Sequence, residues 1–218
     1  MVRLPRRRVI QPTSDDDPLP YYYFPLTGWA YRGRLEMAVS LLGDRELDNL
    51  LEIGYGSGIF LPELSHHCRQ LIAMDIHGQG ANIRAMLQHE RVQAELVDGS
   101  VTAMQFADGA FDAVVCLSVL EHLQSPDLKC ALAEIRRVTR EEGTVILGYP
   151  VRNMMMDAFF RVVGYVPKDI HPSGHRDIWN ATTEVLTIRR VLRLPRFLPK
   201  DMGFYVACEC VREARQTD

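Results

Sequence analysis

An α/β protein with an open, mostly parallel sheet covered on both faces is what this sequence predicts, on two observations. Short apolar runs alternate with segments of helical periodicity, and the first run ends in a glycine-rich turn that opens a helix. The runs over 50–53, 71–75, 94–98, 111–117 and 144–149 read as strands. Between them lie helical patterns near 59–67, 80–89 and 127–140. The third of these has good start chemistry, with Ser125 as N-cap, Pro126 at the first helical position, and Leu128, Ala131, Leu132 and Ile135 on one face. Upstream, Leu35, Ala38, Val39 and Leu42 recur at helical spacing over 29–42 and Gly43 supplies the stop, so one amphipathic helix precedes the main fold. Downstream, 183–192 reads as helical and 204–211 as a late strand. Such sheets bind ligands beyond their strands' C-terminal ends, above all where strand order reverses, and that directs attention to the residues just after each strand.

The 218 residues, 47% of them hydrophobic, can bury one full core. Twenty-five basic residues against 28 acidic ones leave a net charge of −3, which offers no global attraction to a polyanion, so no nucleic-acid partner is expected. No apolar stretch approaches the ~20 residues of a spanning helix. Arg3, Arg6, Arg7 and Arg8 lead into polar residues rather than the apolar segment of a secretory signal, and a cytoplasmic location follows as the expectation. Five cysteines, at 68, 116, 130, 208 and 210, form no C-x-x-C pair and read as reduced thiols, with no metal site. Residues 1–20 mix arginines, three aspartates and Pro12, Pro18 and Pro20, and read as a flexible tail ahead of one domain over 21–218. Within that domain 151–180 breaks the strand and helix rhythm and reads as a lid over the site. Its methionines at 154–156, with Phe159 and Phe160, suit a pocket for a greasy acceptor or contact with a membrane surface. Nothing in the sequence sets the oligomeric state.

The sharpest signal is Leu51-Glu52-Ile53-Gly54-Tyr55-Gly56-Ser57-Gly58, where the first strand turns into the first helix of the sheet. Glycines there allow a tight turn and let a ligand approach the backbone at a helix N-terminus. A dinucleotide site needs G-x-G-x-x-G/A, and the third position is Ile59 counted from Gly54 or Leu61 counted from Gly56, both bulky; this disfavours an NAD(P)-dependent oxidoreductase. The pattern present is E-x-G-x-G-x-G. Its carboxylate would repel a pyrophosphate but suits a ligand bearing an ammonium and a sulfonium, whose attraction is stronger in a partly desolvated cleft than in water.

This segment resembles motif I of the class I, Rossmann-like, S-adenosylmethionine-dependent methyltransferases, in their small-molecule (type 11-like) branch. The resemblance runs over about residues 48–150 and implies a Rossmann-like, seven-stranded, mostly parallel sheet with helices on both faces, and S-adenosylmethionine as cofactor. It further implies that Glu52, Gly54, Tyr55, Gly56 and Gly58 form the cofactor loop. Asp75, with Ile76 beside it, takes the ribose hydroxyls, and Asp98, Gly99 and Ser100 stand near the adenine amino group. The run Phe111-Asp112-Ala113-Val114-Val115-Cys116-Leu117-Ser118 brings Leu117 and Ser118 to the cofactor. A quinone-type relative's E-x-x-E-H metal arrangement has Ser118 in its first position here, which argues against a required metal.

His122, after the fourth strand, is the candidate general base, histidine being the side-chain type suited to proton transfer at physiological pH. Tyr23 and Tyr31 are candidates to shape an acceptor pocket or attract a sulfonium. His171 and His175 are four apart, but Pro172 and Gly174 argue against a helix joining them, so they suit substrate contact from a loop rather than zinc. The expected function is methyl transfer to a small-molecule or lipid-like acceptor. Its alternatives are a non-catalytic S-adenosylmethionine-binding regulator and a nucleic-acid methyltransferase, the latter weakened by the net charge and by the lack of an Asn-Pro-Pro-aromatic run.

Overall fold

The computed structural model describes residues 2–14, 17–151, 172–195 and 203–214. Seven strands form one sheet in the order β3-β2-β1-β4-β5-β7-β6: β1 Leu47–Ile53, β2 Cys68–Asp75, β3 Glu95–Asp98, β4 Phe111–Leu117, β5 Thr139–Pro150, β6 Thr187–Leu194 and β7 Tyr205–Val211. β1 to β5 pair in parallel, and β7 runs antiparallel to both β5 and β6. Strand order reverses between β1 and β4, so the crevice where a ligand is expected opens above the ends of those two strands. The helices are α1 Leu19–Tyr23, α2 Gly28–Leu42, α3 Leu61–Leu64, α4 Gly80–Glu90, α5 Ser125–Val138 and α6 His175–Val185.

Period-two alternation along the strands divides the buried side chains into two layers. Leu50, Ala113, Val115, Ile146 and Ala207 pack with α2, α3 and α4. Leu51, Val114, Cys116, Val145 and Leu147 pack with α5 and α6 on the other face. Cys208 and Cys210 share that second face as read from the sequence, with sulfurs 3.8 Å apart and no disulfide.

Three expectations need correction. The stretch 183–192 is not one helix: α6 ends at Val185 and β6 begins at Thr187. Ile188, Val191 and Leu192 fit a helical stripe, but β-branched Thr187, Ile188 and Val191 beside the exposed ladder of β7 settle as strand. Ser125 is the first helical residue rather than the cap, Gln124 taking that place. The segment read as a flexible tail is packed. Val2, Ile10 and Leu19 enter the core, the backbone N–H of Arg6 donates to Glu90 at 3.2 Å, and the Tyr23 hydroxyl donates to the Pro5 carbonyl at 2.6 Å. Those apolar residues have no common period, so no helical or strand pattern advertised them. Of the expected lid, 152–171 lies outside the described residues, and its last part is the start of α6.

Candidate functional site

A cleft of about 580 Å³ lies at the C-terminal ends of β1, β2 and β4. Its floor is the turn after β1, where Gly54, Gly56 and Gly58 all have positive φ (78°, 50° and 76°). A Cβ on Gly54 would stand 2.2 Å from Val119 Cγ2, so only glycine lets the turn pass under the loop that follows β4. Around Gly56 a Cβ would meet nothing within 4 Å: here the backbone lies open. The Asp75 carboxylate, at the end of β2, accepts the N–H of Gly56 at 2.8 Å and of Ile76 at 2.7 Å. His77 Nε2 sits 3.0 Å from the Gly56 carbonyl, and its ring meets the edge of Tyr55 at 4.9 Å. The glycine turn is thus tied to the end of β2 by Asp75 and to the loop that follows it by His77.

Glu52 lines this cleft from the C-terminal end of β1 and is only 6% exposed. Its Oε2 has no hydrogen-bond partner among the described residues. Burial, reinforced by the Asp75 charge, pushes its carboxyl up to about 8. A buried carboxylate oxygen left without a donor fits a ligand that brings one, and an ammonium group is the donor that also supplies the missing charge.

Opposite stands a second polar group. Arg34 of α2 lines the cleft, its guanidinium held over the rings of Tyr31, Tyr205 and Tyr22 at 4.4, 5.3 and 5.4 Å. Its Nη2 donates to the Tyr22 hydroxyl at 2.8 Å and its Nη1 to Ser118 Oγ at 3.3 Å. Ser118 carries φ of 58°, donates its N–H to the Gly148 carbonyl at 2.7 Å and shares a 2.9 Å hydroxyl contact with Tyr205. Gly148 makes room for this pair, because a Cβ there would lie 2.8 Å from the Tyr205 hydroxyl. Near this group Glu121 is buried, with its carboxyl pushed up to about 7 by desolvation and drawn back by its own backbone bond and by Arg34.

Of the residues singled out from the sequence, Glu52, Gly54, Tyr55, Gly56, Asp75, Ile76, Gly99, Ser100, Leu117, Ser118 and His122 line this one cleft. Gly58 stands outside the wall and serves packing instead, a Cβ there meeting Ile83 and Met86 at 2.9 and 3.0 Å. Asp98 pairs in register with Asp75 at the sheet edge, and it is the following Gly99 and Ser100 that reach the cleft. Tyr23 is corrected: it faces the N-terminal segment, bonded to Pro5 and under Arg7, because α1 turns that side away from the cleft. Tyr31 does not reach the wall; it stacks on Tyr21 and backs Arg34. His175 begins α6 outside the wall, and His171 lies outside the described residues. The sequence reading missed Arg34, Tyr22, His77 and Tyr205, as well as Thr13 and Asp17 of the packed N-terminal segment. A signal existed for Arg34, a charged residue in helical phase with buried Ala38 and Leu41.

Residues 51–147 match the model of a family described as a methyltransferase domain. Over those residues the chain is similar to methyltransferase domains, and its seven-stranded sheet has their Rossmann-like α/β fold. Among curated proteins, the domain is 28% identical over 123 residues to a ubiquinone biosynthesis O-methyltransferase of Alkalilimnicola ehrlichii, covering 55% of this chain and 49% of that one. It is 33% identical over 103 residues to an uncharacterized methyltransferase of Mycolicibacterium vanbaalenii, covering 47% of this chain and 39% of the relative. The chain thus spans about half the length, or less, of the curated relatives it matches. In fold it is similar to the N-methyltransferase NodS of Bradyrhizobium japonicum in complex with S-adenosyl-L-homocysteine, with a TM-score of 0.69 at 21% identity, covering 93% of this chain and 95% of NodS. Among the described residues, no helix is long and apolar enough to cross a membrane.

Proposed function

We propose that this protein transfers the methyl group of S-adenosylmethionine to a small-molecule acceptor with a lipid-like, apolar body. The observation that carries the reading is the pairing of charges in one cleft: Glu52, buried with a free oxygen, and Arg34, a guanidinium in an aromatic box. The amino-acid end of the cofactor is a zwitterion, and these two groups complement its ammonium and its carboxylate. Asp75 keeps lone pairs for the ribose hydroxyls after accepting two backbone N–H groups, while Gly99 and Ser100 border the base. When bound, the cofactor supplies a methyl already activated on a positive sulfur, so the chain's task is to align a nucleophile and exclude water. Leu35, Leu117, Val119 and Leu123 furnish apolar wall for the acceptor. The relatives' names, which include O- and N-methyl transfer, support an oxygen or nitrogen nucleophile. His122, exposed on the cleft rim after β4, is the base for a hydroxyl acceptor. The proposal includes no metal and no nucleic-acid partner, and it assigns the protein to the cytoplasm.

The test is production of S-adenosylhomocysteine from S-adenosylmethionine on adding phenolic, amine and lipid-like acceptors in turn. Turnover with at least one class is expected, and cofactor binding without turnover across all of them would favour the regulatory alternative. With a hydroxyl acceptor, His122→Ala is expected to lower kcat by ~10² or more with cofactor affinity unchanged; a near-normal rate reduces His122 to wall. Arg34→Met is expected to weaken S-adenosylhomocysteine binding by about tenfold, the value of one charge-assisted contact. Unchanged affinity in calorimetry would remove Arg34 from the cofactor site.

A further inference from the structure

Five large apolar side chains are exposed among the described residues, and four of them fall within nine positions: Tyr21 at 48%, Phe24 at 51%, Leu26 at 77% and Trp29 at 55%. Isolated exposed apolar residues are ordinary, but a cluster of this kind marks a contact surface. The cluster is held in shape. Thr27 Oγ donates to the Tyr21 carbonyl at 2.9 Å, the Gly28 N–H donates to the Phe24 carbonyl at 2.7 Å, Tyr21 stacks on Tyr31, and Trp29 sets its edge on Phe204. A rigid turn therefore presents aromatic and aliphatic groups to solvent without collapsing over them.

Charge says what the surface fits. No acidic residue occurs from Pro18 to Leu35, whereas Arg32 sits one turn beyond the patch on α2 and Arg7 lies over Tyr23, with Arg8 exposed beside it. Of the six arginines in residues 3–35, Arg34 is taken up in the cleft, and the other five stand against three aspartates in a chain whose net charge is −3. Aromatic side chains lodge at the boundary between headgroups and acyl chains, and arginines pair with phosphates, so exposed aromatics with arginines on the same helix and on the adjoining N-terminal segment complement an anionic lipid surface. The same short helix joins this patch to the cleft, since Tyr22 and Pro18 line the cleft while Tyr21 and Phe24 face outward.

We infer that the turn over 21–29 docks the protein on anionic membranes, placing the cleft mouth at the interface where an amphiphilic acceptor resides. The docking stands on the patch alone, and only its purpose rests on the methyltransferase reading. The test is flotation of the full chain with vesicles of phosphatidylcholine and phosphatidylglycerol in equal parts, and with phosphatidylcholine alone. Expected are binding at least tenfold stronger to the anionic vesicles, loss of that binding in 0.5 M salt, and a tenfold or greater loss in Phe24→Ser/Leu26→Ser and in Arg8→Glu. S-adenosylhomocysteine affinity, measured on the same samples, is expected to stay unchanged and reports that each variant is folded. Absence of vesicle binding, equal binding to neutral vesicles, or full binding by the double variant overturns the inference. So does a wild-type dimer in sedimentation that Phe24→Ser/Leu26→Ser dissociates, because the patch then belongs to a second copy. Failure to bind S-adenosylhomocysteine would count against the proposed function instead, leaving the lipid result to be judged by itself.

Discussion

Asp75→Ala is expected to weaken S-adenosylhomocysteine binding by about a hundredfold or more. Two effects combine. The carboxylate fastens the glycine turn through Gly56 at 2.8 Å and fixes the start of the following loop through Ile76 at 2.7 Å. Its remaining lone pairs are those offered to the ribose. Hydrogen bonds to an ionised group are each worth ~1.5–3 kcal/mol, so losing the ribose contacts and loosening the turn together comfortably exceed the ~2.7 kcal/mol of a hundredfold change. Asp75→Asn, which keeps one acceptor oxygen, should fall between. Calorimetry decides it: affinity within twofold of wild type in the alanine variant removes Asp75 from the site.

The second large effect concerns Glu52 and runs through pH. A glutamate in the unfolded chain titrates near ~4.3, and in the fold desolvation, then the Asp75 charge, raises it to about 8. The folded protein therefore holds this proton more tightly than the unfolded one. Stability from this group is fully present below the unfolded value, declines as pH rises from about 4 to 8, and is lost above that. Glu52→Gln keeps the shape and removes the charge, so the ligand-free variant should melt higher than wild type at pH 8, by an amount that shrinks towards pH 4. Binding of an ammonium reverses the preference in favour of the carboxylate. Wild-type affinity for S-adenosylhomocysteine should accordingly climb between pH 6 and pH 8, whereas in Glu52→Gln it should be lower by tenfold or more at pH 8 and free of this Glu52-linked rise. A variant that gains stability without losing affinity would make Glu52 a structural burden rather than a ligand group.

The sheet and the glycine turn were legible in the sequence because both rest on local rules. β1, β2, β3, β4 and β5 are apolar runs between turn signals, and a turn with positive φ at Gly54, where an added Cβ would collide with Val119, has no residue but glycine to use. Carboxylates at strand ends were legible for a similar reason, being fixed by register to the same rim. What was not legible depends on distant parts meeting. Arg34 and Tyr205 lie 171 positions apart and meet only once α2 packs on β7, with Gly148 leaving space for the hydroxyl. The N-terminal segment earns its place through single side chains, Val2 and Ile10, and through backbone donors to Glu63 and Glu90, none of which makes a periodic pattern. The strand at Thr187–Leu194 was misread because its apolar spacing satisfies a helix as well, and only the waiting edge of β7 decides between them.

The central claim is that an ionisable, buried carboxylate waits in this cleft for the cationic end of a nucleoside thioether. Titration calorimetry of the full chain with S-adenosylhomocysteine at pH 7, in two buffers of different ionisation heat, addresses it most directly. Saturable one-to-one binding that releases up to one proton, with the release absent in Glu52→Gln, is the expected result. Lack of saturation, or saturation with the same proton count in both proteins, would contradict it.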